Sequence, residues 1–98
     1  MKCEYQRTHN VAVGAYILKD GQMLLLLRAT PPLVWAPPGG RLRGDEDPLA
    51  GLKREVLEEC NLKIETSPVE AVWFGEHRET SNIAIFYECK VTSGVLQL

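Results

Sequence analysis

The stretch DPLAGLKREVLEECN, residues 47 to 61, reads as a helix, and the rest of the chain is arranged around it. Pro48 suits the first helical position, because its φ is preset and its missing N–H is one that a helix leaves unpaired there. Asp47 supplies the N-cap acceptor, and Glu46 beside it is favoured by the positive end of the helix dipole. Asn61, which tolerates the left-handed conformation, marks the stop. With Glu55 set to zero on a helical wheel, Leu52, Val56, Leu49 and Cys60 fall between about 60° and 140° and form the stripe expected to pack on a sheet. Cys60 is then a packing residue.

The same wheel raises a question. Glu55, Glu58 and Glu59 share an arc of about 100°, although like charges at helical spacing repel by a few tenths of a kcal/mol per pair. Glu55 is followed at the i+4 position by Glu59, where a solubilising surface would place a lysine. The arc alone is equally well read as a solvated face or as a cation-binding face. Gly51, near 320° on the same wheel, favours the second reading: glycine there costs roughly 1 kcal/mol relative to alanine, and the expected reason is close approach of another backbone, that of Gly39-Gly40. Three carboxylates and a backbone carbonyl, that of Gly40, make an all-oxygen set suited to Mg²⁺ or Mn²⁺.

Upstream, VAVGAYIL (11 to 18) and QMLLLLR (22 to 28) are apolar runs joined through Asp20-Gly21, a strong hairpin signal. ATPPLVWAPPGGRLRGDEDP (29 to 48) follows; its prolines and glycines exclude helix and predict an irregular loop, of a length that is usually functional. Downstream, VEAVWFGE (69 to 76) and NIAIFYECKV (82 to 91) read as strands, with Ile83, Ile85, Tyr87, Cys89 and Val91 alternating in the second. The order β-β-loop-α-β-β is an α+β pattern.

The chain of 98 residues is expected to be one domain, 1–98, with a core burying roughly two thirds of the unfolded surface. A net charge of -2 offers no field for a nucleic acid polymer, and no lysine or arginine block suggests a membrane surface. Cys3, Cys60 and Cys89 form no CxxC pair, and the longest aliphatic run, residues 23 to 27, is too short to span a bilayer. A cytoplasmic protein with reduced thiols is expected.

GRLRGDEDPLAGLKREVLEECNL, Gly40 to Leu62, resembles the Nudix box, GX5EX7REUXEEXGU with U aliphatic. Gly40, Glu46, Arg54, Glu55, Val56, Glu58, Glu59 and Leu62 match in register, and Asn61 stands where the family has glycine. The resemblance implies a Nudix-like mixed β-sheet with the loop-helix, and a MutT-like hydrolase cleaving a pyrophosphate bond in a nucleoside diphosphate linked to another moiety. It implies that Glu55, Glu58 and Glu59, with the Gly40 carbonyl, hold Mg²⁺ or Mn²⁺. Arg54 would fix a glutamate, Glu55 or Glu46, while Gly39, Glu46, Gly51 and Asn61 have structural parts in the motif.

For its family the chain is short, stopping 36 residues past the box, without the terminal helix that usually closes one side. A truncated piece, a natural minimal member and a homodimer completing the sheet are the three explanations, and shortness also keeps a second function in view: a nucleotide-binding or interaction module with little turnover. Arg28, Arg41 and Arg43 are candidates for substrate phosphates, equally well read as surface arginines. Trp35, Trp73 and Phe74 are expected in the core rather than stacked on a base, and His9 and His77 at the surface or satisfied. Which small-molecule nucleotide is the substrate is not legible in these residues.

Overall fold

The computed structural model describes residues 1–4, 8–77 and 80–97. Strand β1 (Asn10–Lys19) is followed by β2 (Gln22–Met23), β3 (Leu26–Leu27), β4 (Trp35–Ala36) and β5 (Gly39–Arg41), then helix α1 (Pro48–Cys60) and the long strands β6 (Leu62–His77) and β7 (Thr80–Gly94). The main sheet runs β2-β1-β7-β6, with β5 also on β1; β1 and β7 are parallel and the other pairs antiparallel. The α+β reading holds. Among the described residues no helix is long and apolar enough to cross a membrane.

The first hairpin forms as predicted, with Asp20 and Gly21 both at positive φ (52° and 77°), as its tight turn requires. Its second strand is much shorter than the run 22 to 28. The reason lies in β1, whose edge is already taken at Ala12–Gly14 by β5 and at Ala15 by the Pro38 carbonyl, so β2 pairs only with Leu18 and Lys19 before the chain leaves. Leu26 and Leu27 pair instead with Ala36 and Trp35 in a separate two-stranded sheet. The stretch predicted as irregular loop therefore carries two short strands. Helix is absent from residues 29 to 47, as expected, but Gly39 lets the chain lie directly on β1: a Cβ there would collide with the Val13 carbonyl.

Strand β6 starts at Leu62, seven residues before the predicted strand. Leu62 and Ile64 are buried while Lys63 and Glu65 are exposed, a period-two pattern that the Ser67-Pro68 punctuation obscured. Pro68 is tolerated because β6 is an edge strand and its register with β7 shifts between Thr66 and Val69.

The core is one layer between sheet and helix: Val13, Ala15 and Ile17 from β1, Leu52, Val56 and Cys60 from α1, Leu62 and Ile64 from β6, and Tyr87 and Cys89 from β7. Leu49, placed in the packing stripe by the wheel, is instead 39% exposed. A second correction concerns Trp73 and Phe74, which are 56% and 59% exposed rather than core. Geometry explains it: a helix of 13 residues spans about 20 Å, while a strand of 16 spans about 53 Å, so α1 covers only the Leu62 end of the β6–β7 ribbon. Trp35, likewise expected inside, is exposed on the small β3–β4 sheet.

Candidate active site

Helix α1 is capped at both ends as its sequence predicts. Asp47 Oδ2 accepts from the N–H groups of Leu49 and Ala50, both at 3.1 Å, and Asn61 closes the helix in the left-handed conformation (φ 61°) with its Nδ2 donating to the Val95 carbonyl at 3.0 Å. The asparagine in place of the motif's glycine thus adds a tie to the segment just after β7. Between these caps the helix presents Glu55 and Glu59 one turn apart toward β5.

Each glycine of the Gly39-Gly40 pair meets one of these glutamates. Gly39 N–H donates to Glu59 Oε1 at 3.0 Å, and Gly40 lies so close to Glu55 that a Cβ would sit 2.8 Å from the carboxyl carbon. Burial pushes the Glu59 carboxyl above its ordinary range; the Gly39 N–H opposes the rise, and the adjoining Glu55 carboxylate adds to it. Two carboxylates pressed together in a half-buried notch are an arrangement that a divalent cation relieves.

Arg54 organises the opposite side. Its Nε and Nη2 grip Glu46 Oε2 and Oε1 at 2.7 and 3.0 Å, a fork-to-fork pair, while Nη1 reaches Glu55 Oε1 at 3.1 Å and Glu58 Oε2 at 3.2 Å. The alternative left open between Glu46 and Glu55 resolves to both, with Glu46 the bidentate partner. The Arg54 guanidinium, aided by the Arg43 N–H, holds the Glu46 carboxyl down to about 2, and the pairing raises the guanidinium in turn. Glu46 also explains Gly51. A Cβ on Gly51 would meet Leu42 Cδ2 at 2.5 Å and Glu46 Oε1 at 2.9 Å, so two side chains of the preceding loop, and not the Gly39-Gly40 backbone, require the glycine.

Glu58 stands apart from the other two. It is half exposed, turned onto Arg54 and onto Arg43, whose Nη2 lies 3.6 Å from Glu58 Oε1. Among the described residues no three acidic, histidine or cysteine side chains come together as a ready ligand set. The donor chemistry nevertheless fits a hard cation: Glu55 and Glu59 bring only oxygens and are already paired, and Glu58 is on the same helix one turn from Arg54.

Of the three arginines considered for phosphate, the structure brings only Arg43 to the glutamates. Arg41 is exposed on β5 opposite Ala12, and Arg28 lies in the β3–β4 connection, its Nε 3.4 Å from the Thr30 carbonyl. His9 is exposed, with Nδ1 2.8 Å from Thr8 Oγ1, and the His77 side chain lies outside the described residues. Cys60 and Cys89 are buried free thiols, both pushed above the ordinary range by burial, Cys89 to about 11; Cys3 is free and exposed. The Arg43–Glu58 contact was not foreseen from sequence, and nothing in the spacing signals it, because it depends on the turn at Gly44 (φ 31°).

A family profile described as the NUDIX domain matches residues 8–97. A MutT-like protein of Streptomyces ambofaciens is 32% identical over 87 residues, covering 89% of this chain and 55% of that protein. Nudix hydrolase 5 of Arabidopsis thaliana is 29% identical, covering 93% of this chain and 32% of its own length, so the chain spans about half or less of these curated relatives. Among solved structures, the MutT NUDIX hydrolase from Burkholderia pseudomallei superposes with a TM-score of 0.83 at 26% identity, covering 94% of this chain and 74% of that one.

Proposed function

The chain belongs to the NUDIX domain family, and on that premise we propose that it is a MutT-like hydrolase that cleaves a pyrophosphate bond in a nucleoside diphosphate linked to another moiety, with Mg²⁺ or Mn²⁺ as cofactor. One observation carries the reading: Glu55 and Glu59 meet in a half-buried notch lined by Gly39 and Gly40. In this reading Glu55, Glu59 and, once turned inward, Glu58 hold the cation, with the Gly40 carbonyl as a further oxygen. A bound divalent cation would neutralise the pyrophosphate and acidify the attacking water.

The chain's own residues have separate tasks. One of the three glutamates beside the cation would also orient the attacking water or take its proton. Arg54 keeps Glu55 in orientation while Glu46 keeps Arg54 in place, so the glutamate that borders the cation site is held from two removes away. Arg43 at the rim is the donor fork for a substrate phosphate, with Arg41 and Arg28 as outer candidates. The partner is a small nucleotide-type molecule.

Release of nucleotide or phosphate from a panel of nucleoside diphosphate derivatives, with Mg²⁺ or Mn²⁺, tests this for the wild type beside Glu59→Gln. Turnover of one class, lost in the variant, supports the hydrolase and identifies its substrate class. Binding of Mn²⁺ and nucleotide by the wild type with no turnover of any member would instead make the chain a Nudix-fold binding module, a reading favoured by the outward posture of Glu58.

A further inference from the structure

We infer that Arg43 is a positioning residue that competes with the cation for Glu58, keeping this glutamate out of the ligand set until cation or anionic substrate separates the two. The inference rests on the metal-dependent reading above and concerns what controls it. The root of Arg43 is pinned. Its N–H donates to Glu46 Oε1 at 3.0 Å and its carbonyl accepts from Glu46 N–H at 2.7 Å, across the turn at Gly44, so its Cα is fastened to the carboxylate that orients Arg54.

From that root the guanidinium reaches Glu58. Nη2 of Arg43 lies 3.6 Å from Oε1 and Nη1 of Arg54 3.2 Å from Oε2, so each oxygen of Glu58 faces a different cationic side chain. Glu55 and Glu59 differ in being set against the glycine backbone, where their positions leave little freedom. The Arg43–Glu58 pair is a contact between side chains that are 67% and 51% exposed, which makes it weak and exchangeable. A divalent cation beside Glu55 and Glu59 outcompetes one solvated guanidinium, and Arg43, once released, is left at the rim with its fork open to a phosphate.

The test is Mn²⁺ binding without substrate, followed by electron paramagnetic resonance at low ionic strength, for the wild type, Arg43→Gln, Arg41→Gln, Glu58→Gln and the Arg43→Gln/Glu58→Gln double variant. Arg43→Gln should bind Mn²⁺ about two- to fivefold more tightly than wild type, the scale of one exposed ion pair. In the Glu58→Gln background that gain should vanish, because the partner it acts through is gone. An equal gain in that background, or the same gain from Arg41→Gln, would reduce the effect to general charge and overturn the inference. Wild-type Mn²⁺ binding that Arg43→Gln leaves unchanged overturns it alone, while a wild type that binds no Mn²⁺ overturns the metal-dependent reading as well.

Discussion

Arg54 meets Glu46 through two parallel hydrogen bonds, Nε to Oε2 at 2.7 Å and Nη2 to Oε1 at 3.0 Å, and the nitrogen left over lies 3.1 Å from Glu55. One planar guanidinium therefore sets both the loop before the helix and a glutamate on it. Arg54→Lys keeps the charge but has a point donor in place of the fork. We expect kcat/KM on the responsive nucleotide to fall roughly tenfold to a hundredfold, the scale of a misplaced reacting group, with the circular dichroism spectrum retained. A lysine variant within twofold of wild type would mean that charge alone suffices.

The same pair predicts an acid-side loss of stability. Glu46 has its carboxyl lowered from 4.5 to about 2 on folding, so its ionised form stabilises the native state above the unfolded value, and that contribution disappears as pH falls from about 4.5 toward 2. Denaturation midpoints of wild type and Glu46→Gln should differ most near neutral pH and converge at the acid end of that window. A gap that stays constant across the window would assign the effect of Glu46 to shape rather than charge.

Gly39 and Gly40 are adjacent but should fail differently. A Cβ at Gly39 strikes the backbone of β1, so Gly39→Ala should destabilise the fold by about 2 kcal/mol or more in urea titration. At Gly40 the three atoms nearest the added carbon all belong to the movable end of Glu55; Gly40→Ala should fold almost normally and weaken Mn²⁺ binding about tenfold.

Asn61 offers a further contrast. Alanine keeps a β-carbon in the left-handed region but loses both the short polar side chain that makes asparagine tolerant of it and the Val95 bond, and should cost about 1–2 kcal/mol. Glycine relieves the backbone while losing the same bond, and should lie within about 0.5 kcal/mol of wild type. Equal losses from both variants would show that the side-chain bond, and not the cap conformation, is what matters.

How far the residues speak for themselves differs along the chain. The neighbourhood of both ends of helix α1 was legible, because proline, aspartate and asparagine act through their own backbone preferences, which need no distant partner. The glutamate arc was legible for a similar reason, since helical spacing converts sequence distance directly into direction, whereas the part of Arg54 was implied only by the resemblance to the Nudix box. Strand extents were not. β2 is cut short by a competitor, β5, arriving on the same edge of β1 from some twenty residues later, and Trp73 is exposed because a short helix faces a long ribbon.

By itself, then, the sequence determined the helix, its caps and which side of it bears the three carboxylates, all local consequences of backbone propensity and a period of 3.6 residues. Only the tertiary structure decided that two of those carboxylates meet against Gly39-Gly40 while Glu58 turns onto Arg43 and Arg54, and that Gly51 makes room for Leu42 and Glu46. Those outcomes depend on which loop atoms occupy the space above the helix. Such occupancy is set by packing between segments distant in the chain, and no local preference encodes it.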